Sequence, residues 1–308
     1  MGVLFSIVLP VFLLVGAGYF AVFLKLFKDS AADGLMVFTQ KFALPCLLFS
    51  GIASLDLGAE LDLWLLAAYF GSAATCFALG ILGARLLFGR PWTDCIAIGL
   101  TAMFTNTVLL GLPVTERAFG AEALGPNYAI IAFNAGFCYL IGITSMEIAR
   151  AETTGFALVR TVADAMFHNS LMIGICCGFV VNLTGLPIPA VVQDALDLMI
   201  RAALPAALFG LGGVLYRYKP EGDMALIAML CVLTLAVHPL LTWTIGTYGG
   251  LSTGQMRSAV ITAAVAPGIN TYIFADMYGV ARRIVATTVL IGTALTVVGA
   301  SVWLMILP

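Results

Sequence analysis

Two asparagine-threonine pairs, Asn106-Thr107 in FTNTVLLGLP and Asn270-Thr271 in GINTYIFA, lie inside apolar runs long enough to cross a bilayer. Side-chain amides there offer donors and acceptors without a formal charge. The second pair follows Pro267 and Gly268. Proline removes a backbone donor and clashes with the preceding turn, so an unbroken helix is not expected. A break near Asn106 and another between Pro267 and Asn270 would let half-helices cross near the midplane. Their first turns would present free N–H groups and partial positive charge to whatever occupies the crossing. A carboxylate or another small anion suits such a site. The candidate binding residues are Asn106, Asn270, Thr105, Thr107, Gly268 and Thr271, with Pro113 and Pro267 forming the crossover. The plainer alternative is that both asparagines only bond neighbouring helices.

Lys41 and Arg201 come next, because a charge well inside a span costs ~2.5 to 3.5 kcal/mol on insertion scales. They are candidate vestibule charges, on opposite sides of the midplane, that draw an anion in from either side. Alternatively each snorkels or pairs, Arg201 with Asp197 one turn away or with Asp194. His168 and His238 are candidate proton relays, with a packing role the plainer reading. Glu116 and Asp276, at the far ends of the two broken spans, read as solvated caps. No carboxylate stands at the centre of either broken span, which weakens an obligatory sodium or proton site there. Gly174 and Gly178 in GICCG have the spacing of a close helix contact. The seven cysteines show no C-x-x-C or metal spacing. Phosphate-loop, zincin and G-x-S-x-G motifs are lacking. No catalytic residue, metal site or cofactor is expected, and the chain reads as a non-enzyme.

The elements that must hold these residues follow from composition. Of 308 residues 62% are hydrophobic and 10% charged, and the mean hydropathy is +1.08, the balance of a polytopic membrane protein. A formal charge of -2 points to no nucleic-acid partner. Ten spans are expected: Leu4 to Leu26, Leu35 to Ile52, Leu63 to Leu87, Cys95 to Leu112, Tyr128 to Ile148, Phe167 to Leu183, Val191 to Leu215, Met224 to Ile245, Ser258 to Tyr278 and Ile284 to Leu307. The first has no basic region before it and is not expected to be a cleaved signal, and no soluble domain is expected. Lys25, Lys28, Arg85, Arg90, Arg150, Arg160, Arg217, Lys219, Arg282 and Arg283 fall at alternate span ends, against Arg117 and Arg257 at the others. Both termini are therefore expected outside.

An internal repeat shapes the whole. FALPCLLF (Phe42 to Phe49) and AALPAALF (Ala202 to Phe209) align at a shift of 160, placing Lys41 on Arg201 and Pro45 on Pro205. The two Asn-Thr pairs align at a shift of 164. The expected fold is an all-α integral membrane protein of ten transmembrane helices in two inverted five-helix repeats, residues 1–153 and 154–308, with helices 4 and 9 broken and crossing.

LPVFLLVGAGYF from Leu9, FALPCLLF, TNTVLLGLP from Thr105, APGINTYIFADMYG from Ala266 and ATTVLIGTALTVVG from Ala286 resemble the auxin efflux carrier family, the PIN-like permeases, in its bacterial short form. The resemblance runs the length of the chain. It implies a transport part moving in an elevator-like way against a scaffold, with the substrate carboxylate near an asparagine at the crossover. That role carries to Asn106 and, by pseudosymmetry, to Asn270. The implied function is a secondary carrier of small organic anions such as malonate-like or auxin-like acids. The implied location is a bacterial inner membrane. The partners expected are the carboxylate and the lipid bilayer, with a homodimer as the candidate assembly. A sodium-coupled symporter of the bile-acid carrier type is the alternative.

Overall fold

The computed structural model describes residues 2–150 and 169–307. Arg160 and His168 lie outside them. Helix is the regular structure of the described residues, with one isolated bridge besides. Besides a single turn at Leu57–Glu60, the helices are α1 (Gly2–Phe23), α2 (Asp29–Ala53), α3 (Leu63–Leu86), α4 (Trp92–Met103), α5 (107–119), α6 (Ala121–Arg150), α7 (Ser170–Thr184), α8 (Ala190–Leu215), α9 (Met224–Tyr248), α10 (Thr253–Ala263), α11 (Ile269–Tyr278) and α12 (Arg282–Ile306). Six of them, α2, α3, α6, α8, α9 and α12, are each long and apolar enough to cross a membrane. Large apolar side chains such as Leu13, Phe20, Leu79 and Val298 lie exposed around the outside, as a lipid-facing surface requires.

Local chemistry explains several element ends. Asp62 caps α3 through the Trp64 and Leu65 N–H groups, Asn169 caps α7 at Leu171, and Ser252 with Gln255 forms a reciprocal capping box on α10. Wide π-turns occupy Thr39–Ala43, Thr107–Gly111 and Leu233–Val237. Each stands just ahead of a proline, Pro45, Pro113 or Pro239. Proline takes one N–H from the ladder and crowds the carbonyl four residues back; a widened turn relieves both. Pro205 sits inside an α-helix with no such turn, so the repeated Leu-Pro segments fold differently despite their matching sequence.

The helices pack in two groups. In one, α1 lies along α8, α2 along α7, and α8 crosses α2. Glycines set the approach: a Cβ on Gly212 would overlap the Val15 carbonyl, and one on Gly18 the Phe209 carbonyl. Gly174 and Gly178 seat α7 against Pro45, Phe49 and Ile52 of α2, which is the close contact their spacing suggested. The second group gathers α3, α4, α6, α9, α10 and α12. Each group draws helices from both halves of the chain.

Basic residues collect at one end. Arg90 pairs with Asp223 at 3.3 Å, Arg217 with Asp33 at 2.5 Å, Arg283 with Glu221 at 3.6 Å and Arg282 with Asp276 at 3.0 Å. The Asp33 carboxylate raises the Arg217 pKa, chiefly by hydrogen bonding. At the other end Arg117 donates to the Ile7 carbonyl and Arg257 lies over the Phe119 ring.

Candidate functional site

Both breaks occur. α4 stops at Met103, and Phe104 to Asn106 are irregular before α5 begins. Asn106 caps this second half, its Oδ1 accepting from Leu109 N–H at 3.2 Å. The other break covers 264–268, so it begins before Pro267, and Asn270 belongs to the first turn of α11. That earlier stop follows from proline, which pushes the residue before it out of the helical region.

The two irregular segments run antiparallel against each other. Asn106 N–H donates to the Ala266 carbonyl at 2.8 Å and Gly268 N–H to the Phe104 carbonyl at 2.9 Å, with Thr105 facing Pro267 between them. Facing residues of such a pair need no N–H, so proline is tolerated there. By these paired bonds the counterpart of Asn106 is Gly268, not Asn270. The sequence-derived mirror relation between the asparagines is thus two residues out of step. Asn270 answers to Val108, and the two halves of the site are chemically unlike.

Neighbouring helices clamp this crossing. The Thr105 hydroxyl donates to the Thr262 carbonyl at 3.1 Å and meets the Tyr69 hydroxyl at 2.8 Å, while Thr296 Oγ1 accepts from Ala266 N–H at 3.0 Å. Gly292 lets α12 approach, with a Cβ there falling 3.3 Å from the Pro267 ring. Asn134 donates to Thr107 Oγ1 at 3.3 Å. In the low dielectric of a buried site each such bond resists rearrangement.

A cavity of about 290 Å³ opens beside the crossing. Thr105, Asn106, Thr107, Gly268 and Asn270 line it, as does Lys41. Gln40, Tyr139, Asn169 and Ser170 also line it, and sequence reading missed them. Gln40, a polar residue beside Lys41 within a span, was the one local signal. Asn106 is only 6% exposed, and its Nδ2 has no hydrogen-bond partner among the described residues. An orphaned buried amide donor costs about 1 to 3 kcal/mol, so its retention points to an acceptor from outside the chain. The Asn270 side-chain amide makes no hydrogen bond among the described residues either, and the Ile269 and Asn270 N–H groups at the start of α11 precede any helical acceptor, whereas Thr271 N–H bonds the Gly268 carbonyl. Among the described residues neither side chain bonds a neighbouring helix.

The remaining candidates divide. Thr107 keeps a hydroxyl proton available, whereas Thr105 and the Gly268 N–H are spent on the crossing. Thr271 is fully buried, donates to the Gly268 carbonyl and is absent from the cavity wall. Pro113 lies past the crossing on α5 and lines a different cavity. Arg201 faces that second cavity, of about 600 Å³, with Glu116 and Arg117. Neither Lys41 nor Arg201 forms an ion pair or hydrogen bond among the described residues, and Asp197 bonds Gln193 instead. His238 is fully buried, its ring against Tyr69 at 5.3 Å, and lines neither cavity. Asp276 pairs with Arg282 at the exposed basic end. Among the described residues no group of three or more histidine, cysteine or carboxylate side chains could hold a metal ion.

A multi-pass helical protein with a broken-helix crossing and a polar cavity at it has the form of a membrane transporter. The chain belongs to the membrane transport protein family, whose profile matches residues 3–304, and the resemblance to PIN-like permeases stands on that match. A Rhizobium meliloti protein named "Putative malonate transporter" is 24% identical over 95% of this chain and 92% of its own length. A rice protein named "Probable auxin efflux carrier component 5a" is 24% identical over 74% of this chain and 67% of its own. The mouse "Lysosomal cholesterol signaling protein" is 25% identical over 99% of this chain, which spans only 38% of that protein. The family and these bacterial and plant relatives are transporters, not enzymes.

Proposed function

We propose that the chain is a secondary transporter of small organic anions, carboxylates of the malonate or auxin type, bound at the crossing. The observation that carries this reading is the buried Asn106 Nδ2, without a partner among the described residues, facing a cavity shared with the Asn270 amide, the first turn of α11 and the Lys41 ammonium. Every one of these groups donates, and a carboxylate only accepts. In this reading Lys41 raises the local anion concentration and the amides fix orientation.

The ten-span, inverted-repeat architecture belongs to the same proposal. Counting α4 with α5 and α10 with α11 as broken spans gives two halves, 1–153 and 154–308. The two packing groups then each consist of matching spans, α1, α2, α7 and α8 against the rest. Both cavities lie between the groups, one toward each end. Sliding the crossing-bearing group along the glycine-packed one would exchange access between the ends, an elevator-type alternation. The basic end is assigned to the cytoplasm of a bacterial inner membrane, with both termini outside.

Reconstitution tests the reading. Proteoliposomes would be given radiolabelled malonate, succinate, acetate and indole-3-acetate under imposed sodium, proton or voltage gradients. Saturable uptake of at least one carboxylate is expected, and uptake of none while a neutral or cationic solute crosses would refute an anion site. Dependence on the sodium gradient would favour the symporter alternative.

A further inference from the structure

We propose that the second cavity is a binding site for an anionic amphiphile, a single carboxylate or phosphate head on an aliphatic chain, distinct from the crossing. It is about 600 Å³, and none of the crossing residues lines it. Arg201 stands in the middle of α8 on its wall with no ion pair or hydrogen bond among the described residues. The helix is weakened at the same spot: Pro205, four residues on, lacks the N–H that would bond the Arg201 carbonyl. An unpaired guanidinium held inside an apolar layer is costly, and an anion that forks onto it removes the cost.

Charge on the wall fits that occupant. Arg117 adds a second guanidinium, against one carboxylate, Glu116, at the outer turn of α5. The Arg117 Nε is engaged by the Ile7 carbonyl, so the head belongs at Arg201. Below it the wall is aliphatic: Leu14, Leu47, Leu204 and Leu208 offer nothing to a small hydrophilic dicarboxylate but bury a chain. Leu14 on this wall is 38% exposed. The cavity lies between the two packing groups, α1, α2 and α8 on one side and α5 with α6 on the other. An amphiphile seated there wedges the groups and holds this arrangement, with the crossing cavity left free.

Binding of radiolabelled dodecanoate to the purified protein in phosphatidylcholine nanodiscs tests the assignment without any transport measurement. Saturable binding is expected, with dodecyl phosphate competing well and acetate and dodecanol at least tenfold worse. Arg201→Gln should weaken binding at least tenfold, Arg201→Lys should retain part of it, and Leu204→Trp should abolish it by filling the cavity. Asn106→Ala should bind dodecanoate like the unaltered protein, which separates this site from the crossing. Displacement by phosphatidylglycerol in the nanodisc would identify a lipid as the source of the head, and its absence a free amphiphile. Undiminished binding in both Arg201→Gln and Leu204→Trp overturns the proposal. So does competition by acetate equal to that by dodecyl phosphate, since the chain would then contribute nothing.

Discussion

Asn106→Asp changes the crossing by one functional group and leaves its scaffold alone. The present Oδ1 accepts from Leu109 N–H, and an aspartate oxygen can do the same, so the start of α5 stays capped. Negative charge at the beginning of a helical segment is favourable, so thermal stability should hold or rise slightly. What changes is the Nδ2 donor aimed at the cavity, which becomes a second acceptor. Two unit charges about 4 Å apart repel by roughly 4 kcal/mol at an effective dielectric of 20, about a thousandfold in affinity for a bound carboxylate. The assay is initial uptake of the best carboxylate from the reconstitution panel, taken as a ratio to the unaltered protein at each pH so that titration of the substrate cancels. An aspartate beside a bound anion has its pKa raised above the ordinary value of about 3.9, because a like charge disfavours ionisation. The protonated form regains an O–H donor. The deficit should therefore be greatest at pH 7.5 and shrink as pH falls toward 5. Asn106→Ala loses both the cap and the donor and should be depressed about tenfold to a hundredfold at every pH, with stability lower by about 1 kcal/mol. Uptake by Asn106→Asp equal to the unaltered protein at pH 7.5 would place the carboxylate elsewhere and refute the argument.

Asn270→Asp should act in the same direction but less strongly, because Asn270 is more exposed than Asn106 and solvent screens the repulsion; uptake at pH 7.5 again measures it. Lys41→Gln should raise the apparent KM for anion uptake several-fold while leaving the melting temperature unchanged, since Lys41 has no ion pair to lose among the described residues. An unchanged KM would remove it from the vestibule. In a background with the native cysteines replaced, single cysteines at positions 87 and 220 should be labelled by an impermeant maleimide only from the cytoplasmic side, and one at position 57 only from outside. The opposite pattern reverses the assigned orientation. Gly212→Leu should lower the melting temperature by the equivalent of about 1 to 3 kcal/mol, because its Cβ meets the Val15 backbone, whereas Gly16→Leu, with open space around it, should be near neutral.

Much of the helical layout was legible because it depends on local chemistry. A run of apolar residues forms a helix in lipid whatever its neighbours, and Pro267 forces a break from its own ring. The break at Asn106 was readable for a similar reason, since asparagine satisfies backbone donors at a helix start. The basic loops could be grouped at one end from their alternation alone, and the ion pairs at Arg90, Arg217 and Arg283 bring those loops together.

The site itself was only half legible. That Asn106 and Asn270 face a cavity beside Lys41 agrees with their polar character inside apolar spans. Which hydroxyls are free could not be read, because Thr105 is consumed by Tyr69 and Thr262, partners 36 and 157 residues away. Thr107, two positions along, keeps its proton. The register of the crossing was likewise hidden: sequence similarity aligned the asparagines with each other, while the paired backbone gives Asn106 the donor role that Gly268 plays in the other segment. The fate of Arg201 was hidden for a local reason: Asp197 lies one turn away but bonds Gln193, one turn further back on the same helix. The sequence by itself determined where backbone must be helical and where it must break, for those are properties of neighbouring residues. The fold decided which polar groups remain unsatisfied, because a hydrogen bond belongs to whichever partner three-dimensional packing brings within reach.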